Sequence, residues 1–231
     1  VVVEEFRQRY LNQPYGDTWL LLRPMAYKVH PYRWATIGKE VAHIENATLE
    51  DVKSFFYNYY HPANAILTLS GNITTAQARE LSEKWFGPIP SRKMTKKMIP
   101  QEPEQIEKRM LTVEKDVPYD SIYKAWHCCA RSDESYYATD LLTDVLSGGK
   151  SSRLFQVLVK EKKLFSGISA YMLGDLDASL VVAEGKLVKG VSFEEAERAL
   201  DFEITTVMNN EIPDRELNKV RQKAESGLVF G

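Results

Sequence analysis

The sequence has 231 residues, 44% hydrophobic and 27% charged, with a formal net charge of −2. That balance supports a sizeable core and gives no basic surface for nucleic acid or an anionic membrane. No apolar run approaches the ~20 residues of a membrane helix, and the neighbouring pair Cys128-Cys129 offers no disulfide framework, so the compartment stays open.

The chain begins Val1-Val2-Val3-Glu4-Glu5 and stops at Leu228-Val229-Phe230-Gly231, apolar at both ends and without an initiator Met. The expectation is a piece of a longer protein. A helical pattern runs from Val1 to about Asn12, and Pro14-Tyr15-Gly16-Asp17 reads as a turn. Thr48-Leu49-Glu50-Asp51 is an N-cap signal for an amphipathic helix carrying Val52, Phe55, Phe56 and Tyr59, closed by His61-Pro62. Residues 65–70 (AILTLS) read as a strand and Gly71-Asn72 as a turn. Thr74 and Gln77 form a capping box for a helix to Phe86.

Composition then changes. Residues 87–105 (GPIPSRKMTKKMIPQEPEQ) hold four prolines and a basic cluster, the pattern of a solvated linker. Beyond it, residues 106–114 and 120–130 read as strands, and Ser132 as the cap of a helix over 134–147. A glycine corner follows at Gly148-Gly149, then a helix over 151–162 and strands over 165–173 and 178–187. Ser192 and Glu195 read as a capping box for a long helix with Phe193, Ala196, Leu200, Ile204 and Val207 on one face; Pro213-Asp214 starts another. Strands and helices come in clusters rather than in strict alternation. That predicts an α+β fold in two units, each a mainly antiparallel sheet with helices on one face. The expected boundaries are 1–87 for the first lobe, 88–105 for the linker and 106–231 for the second.

The residues alone show no catalytic set. His30, His43, His61 and His127 have no pair at the three- or four-residue spacing that puts two imidazoles on one helix face. His61 is expected to cap backbone carbonyls and His127 to be a hydrogen-bonded strand residue. Gly149-Lys150-Ser151 resembles the end of a phosphate loop, but the required earlier glycine is Asp144 and the approach is helical, so nucleotide binding is rejected. No serine lies in a Gly-x-Ser-x-Gly elbow, and nothing beside the cysteines would lower a thiol pKa. Gly148-Gly149 can end a helix through positive φ, and Ser151 or Ser152 can cap the next one.

The ordered set of motifs resembles the pitrilysin, insulysin and mitochondrial processing peptidase family of zinc peptidases. It comprises the run from Leu146 to Gln156 (LSGGKSSRLFQ) with residues 164–171 (LFSGISAY), and Ala26-Tyr27 with His30-Pro31-Tyr32 and Ile37-Gly38. It also comprises Thr48 to Asp51 with Phe55, Tyr59-Tyr60 and Pro62 to Ala65, and Trp85 to Pro90. The resemblance implies a fragment of a zinc-dependent metalloendopeptidase that hydrolyses peptides in a closed chamber. It implies a zinc-polarised carbonyl and a glutamate base on the zinc-bound water. The family's His-x-x-Glu-His motif is absent and is expected upstream. Val1 to Glu5 looks like the segment carrying the third metal ligand, with Glu5 in register as that ligand and Glu4 on the surface. No catalytic residue is assigned within the chain, which alone is expected to be inactive and largely metal-free. Relatives carry an Arg and a Tyr seven residues apart that hold substrate; here those positions are Val159 and Ser166. The resemblance therefore implies a zinc-type half, with a second family module or partner subunit supplying the clamp. It puts Ser151, Ser152 and Arg153 on the chamber wall. The alternative is a catalytically inactive member acting as a scaffold or partner subunit. The sequons at Asn46 and Asn72 carry no assignment.

Overall fold

The structure is a computed structural model that describes residues 1–92 and 98–230. The chain divides into two compact units, Val1–Met110 and Leu111–Gly231. Residues 93–97, within the expected linker, lie outside the described residues.

The first unit is helical. Helix α1 (Val2–Phe6) continues as a π-helical turn over Arg7–Leu11, and α2 spans Thr18–Ala26. Next come α3 (Val41–Glu45), α4 (Leu49–Tyr59) and α5 (Thr75–Phe86). The expected caps of α4 and α5 form, each as a reciprocal capping box. Thr48 accepts from the Asp51 amide and Asp51 accepts from the Thr48 amide; Thr74 and Gln77 do the same for α5. Tyr27 is fully buried, edge-on to Tyr32 at 5.7 Å between ring centroids. The His30 ring lies 4.2 Å from Tyr32, and its Nδ1 accepts from the Tyr32 amide at 3.2 Å.

Two expected strands are corrected. Residues 65–70 and 106–114 are not in regular strands; neither forms a ladder among the described residues. A strand exists only through a neighbour that takes its backbone hydrogen bonds, and period-2 alternation cannot supply one. Ile66 is left 96% exposed, with Leu67 and Leu69 also open. Helices α4 and α5 bury no residue, and Phe55, Phe56, Tyr60 and Trp85 all stand exposed. His61 is also corrected. It is buried, and both ring nitrogens lack a hydrogen-bond partner, so it caps nothing. Asn64 takes that role, donating from Nδ2 to the Tyr59 carbonyl at 2.8 Å.

The second unit is a three-stranded antiparallel sheet covered by helices. Its strands are β1 (Ser121–Cys128), β2 (Phe165–Met172) and β3 (Ser179–Leu187), in the order β1-β3-β2. Its helices are α6 (Tyr136–Ser147), α7 (Phe193–Asn209) and α8 (Asp214–Phe230), with a π-helical segment over Phe155–Glu161 where an ordinary helix over 151–162 was expected. The cap of α6 is also displaced. The N-cap residue is Ser135 rather than Ser132, and Asp133 closes the preceding turn by accepting from the amide and hydroxyl of Ser135 at 2.9 and 2.7 Å. Ser192 caps α7 by accepting from the Glu195 amide at 3.2 Å, the one half of the expected capping box that is seen.

The core joins sheet and helices on one face: Ala170, Ala183 and Leu187 meet Leu146, Leu154, Leu158, Ala196 and Leu200. A register shift between Phe165 and Gly167 on β2 sets Phe165 opposite Leu187. This bulge changes the alternation by one residue and turns Phe165 to the same face as Ile168 and Ala170. Gly185 on β3 makes room for it, since a Cβ there would lie 2.5 Å from the Phe165 ring. Lys124 of β1 reaches the helix layer and pairs with Glu197 at 2.9 Å and Asp201 at 2.5 Å on α7.

Candidate functional site

The expected metal ligand, Glu5, sits in α1 beside buried Phe6. Its side chain is 42% exposed and pairs with Arg9 one turn later, Oε1 to NH2 at 2.9 Å. Glu4 faces out and accepts from Gln8 at 3.3 Å. Among the described residues no three His, Cys, Asp or Glu side chains come together as a metal cluster. Zinc generally takes three or four such donors. One carboxylate without imidazoles beside it does not fit that requirement.

The glycine corner is built by backbone needs. Helix α6 ends at Ser147, and the Gly148 amide bonds the Asp144 carbonyl at 2.7 Å. A Cβ on Gly148 would lie 2.4 Å from that carbonyl oxygen, and Gly149 has φ +114, so both positions require glycine. Ser152 is buried and donates to the Gly149 carbonyl at 2.6 Å. Ser151 accepts from Lys219 at both its hydroxyl (3.2 Å) and its carbonyl (3.1 Å). Arg153 makes a two-point contact with Glu216, at 2.7 Å from Nε and 3.4 Å from NH2. Lys223 reaches Asp144 at 2.9 Å. Glu216, Lys219 and Lys223 fall on one face of α8, at i, i+3 and i+7. The structure thus brings Ser151 and Arg153 together through α8 and holds Ser152 inside the corner; Glu5 belongs to the first unit.

Sequence reasoning missed the part played by Ser147. Its hydroxyl accepts from the Ala170 amide at 2.6 Å and donates to the Ala170 carbonyl at 2.7 Å. That closes part of the β2 edge against pairing. A serine at a helix end carries no signal of a partner 23 residues on. The positions where relatives carry Arg and Tyr are occupied differently here. Val159 packs against the core, and exposed Ser166 donates to the Lys186 carbonyl at 3.2 Å, in the bulge. Among the described residues, two half-buried groups of the second unit have raised pKa values. Burial, with Glu184 adding to it, raises the Tyr171 phenol; burial, then the neighbouring Cys129, raises the Cys128 thiol to about 11. A high thiol pKa argues against a cysteine nucleophile there.

Comparison with known proteins agrees with this fold. Residues 46–224 match the family described as the peptidase M16 inactive domain. A zinc protease of Helicobacter pylori named PqqE is 33% identical over 97% of this chain and 52% of its own length. An uncharacterized zinc protease of Bacillus subtilis, YmxG, is 22% identical over 100% of this chain and 54% of its own length. The chain spans about half the length of the curated relatives it matches. The crystal structure of a protease from Helicobacter pylori superposes with a TM-score of 0.87 at 29% identity, over 99% of this chain and 56% of that one. With more than half of its residues inside the family match, the chain belongs to the peptidase M16 family, the zinc-peptidase group that its motifs resemble.

Proposed function

We propose that this chain is part of a zinc-dependent metalloendopeptidase that hydrolyses peptides in a closed chamber. The observation that carries this reading is the 33% identity, along nearly the whole chain, to a protein named a zinc protease. In this reading Glu5 is one metal ligand, and imidazoles from polypeptide outside this sequence complete the set. An exposed i,i+4 pair such as Glu5–Arg9 contributes at most ~0.5 kcal/mol, so the carboxylate is readily given up to a metal. The open apolar surface of α4, α5 and residues 65–70 also supports a larger lobe, because apolar area of that extent is normally covered. Val159 and Ser166 cannot hold a peptide carbonyl as Arg and Tyr do, which leaves the clamp to a second family module or partner subunit. The corner of Ser151, Ser152 and Arg153 shapes the chamber wall through its backbone, since its side chains are engaged within the second unit.

The family's description as an inactive domain favours a second reading, a scaffold or partner subunit without catalysis. One experiment separates them: zinc content and peptide cleavage of the intact protein, unsubstituted and as Glu5→Gln. Stoichiometric zinc with cleavage, both lost in Glu5→Gln, is the expected result. Zinc and cleavage unchanged by the substitution would remove Glu5 from the site. Neither zinc nor cleavage in the unsubstituted protein would leave the scaffold.

A further inference from the structure

Pro24, Tyr27, Lys28, Arg33, Trp34 and Lys39 line a hollow of about 230 Å³ within the first unit. Local chemistry shapes it. Helix α2 ends at Ala26, just after Pro24, and Tyr27 leaves it in extended backbone with its ring buried. Pro31 then starts a single 3-10 turn over Pro31–Arg33, and Trp34 leaves that turn extended as well. Lys28, Trp34 and Lys39 are exposed, so the hollow opens to solvent.

Three of the lining residues are cations. Lys28 donates from Nζ to the Pro24 carbonyl at 3.0 Å, in the last turn of α2. Arg33 donates from NH1 to the Lys28 carbonyl at 2.9 Å, with its guanidinium 5.1 Å over the Trp34 ring. These two contacts hold the guanidinium and leave its Nε and NH2 without a partner among the described residues. That edge of a guanidinium can meet a carboxylate at two points, as Arg153 meets Glu216. Lys39 pairs with Glu40 at 2.8 Å, both side chains more than half exposed, and exposed pairs are weak and readily exchanged. The Glu102 carboxylate is taken up by a nest of amides, at 2.6 Å from Lys28 and 2.9 Å from Val29 and His30. Three cations against these two carboxylates leave the hollow net positive, in a chain whose net charge is −2.

We propose that this hollow binds the carboxylate of a peptide, carried by an acidic side chain or by a free C-terminus. Nε and NH2 of Arg33 donate to the carboxylate, Lys28 and Lys39 add charge, and Trp34 and Pro24 offer apolar surface to the atoms beside it. Pockets for drug-sized ligands run to ~300–1,000 Å³, so this smaller hollow suits one side chain or one chain end. That the carboxylate belongs to a peptide rests on the peptidase reading above; the preference for an anion rests on the hollow alone.

Peptide titration of the intact protein, followed through the indole N–H resonance of Trp34 and assigned with Trp34→Phe, tests this. Three acetylated tripeptides serve as probes: alanyl-glutamyl-alanine amide, alanyl-glutaminyl-alanine amide, and trialanine with a free carboxylate. The expected result is a Trp34 shift, and binding about tenfold tighter than the glutaminyl amide, for one or both of the carboxylate peptides. Which of them binds tells a side chain from a chain end. Arg33→Gln should weaken that binding about tenfold, and added salt should weaken it further. Equal binding of all three peptides, no Trp34 shift with any of them, or binding unchanged in Arg33→Gln would each overturn the site. Should Arg33→Gln not fold, Lys39→Gln decides: binding about threefold weaker supports the site, and unchanged binding overturns it. Zinc content and cleavage are read separately. Their absence would remove the peptidase reading and leave carboxylate binding standing, whereas cleavage without a Trp34 response overturns the hollow alone.

Discussion

The Arg153 guanidinium meets the Glu216 carboxylate across 63 residues of sequence, Nε to Oε2 at 2.7 Å, with both side chains about one-third exposed or less. This pair, with Lys219 on Ser151 and Lys223 on Asp144, seats one face of α8 on the glycine corner. Arg153, which the resemblance puts on the chamber wall, is engaged within its own unit.

Breaking that pair should loosen α8. Arg153→Ala or Glu216→Ala is expected to cost about 1–2 kcal/mol, since a half-buried, charge-assisted contact exceeds an exposed one. The double variant should lose less than the sum of the two, because each single change leaves a partner charge unmatched. Urea denaturation of the four proteins in the cycle measures the coupling.

Gly185→Ala should destabilise the second unit by about 1–3 kcal/mol. The new methyl would meet the ring of Phe165, which is 1% exposed and cannot swing away. Adding Phe165→Leu should recover part of the loss. A thermal unfolding series reads both effects.

The two units should respond oppositely to truncation of large apolar side chains. Leu200→Ala, in the closed core, is expected to cost about 2–5 kcal/mol. Phe56→Ala, on the open face of α4, should change the stability of this chain by no more than about 0.5 kcal/mol and should reduce its aggregation. Chemical denaturation and light scattering of the 231-residue chain provide the comparison.

Cys128 should react slowly with thiol reagents. Burial and then Cys129 raise its pKa from 9.0 to about 11, so at pH 8 its thiolate is about a hundredfold scarcer than for an ordinary thiol. The reaction rate of a Cys129→Ser protein with an aromatic disulfide should keep rising past pH 9. Stability follows the same difference. The unfolded chain releases this proton near 9.0 and the folded one near 11, so between those values the unfolded state binds fewer protons and stability falls as pH rises. A denaturation midpoint that is flat across that window would contradict the shift.

The legible features were those that a few neighbouring residues settle. The Thr48–Asp51 and Thr74–Gln77 boxes span three residues each, and the helices they start are where the sequence puts them. Strand β1 was visible through the alternation of its sequence, and the stretches read as strands over 165–173 and 178–187 hold β2 and β3. Residues 65–70 alternate as well, yet they form no ladder here, because a strand depends on a neighbour and not only on its own pattern. His61 was read from its position before Pro62. The path of the chain buried it instead and gave the capping role to Asn64.

By itself the sequence determined the starts of α4, α5 and α7, the corner at Gly148-Gly149 and the family, because caps, tight turns and ordered motifs are local chemistry carried by consecutive residues. Only the tertiary structure decided that Arg153 would meet Glu216, that Glu102 would fill the amide nest at residues 28–30, and that a bulge would turn Phe165 onto Gly185. Those contacts join residues 20 to 74 positions apart. Charge and size permit many such pairings, and only the folded path of the backbone brings one of them within reach.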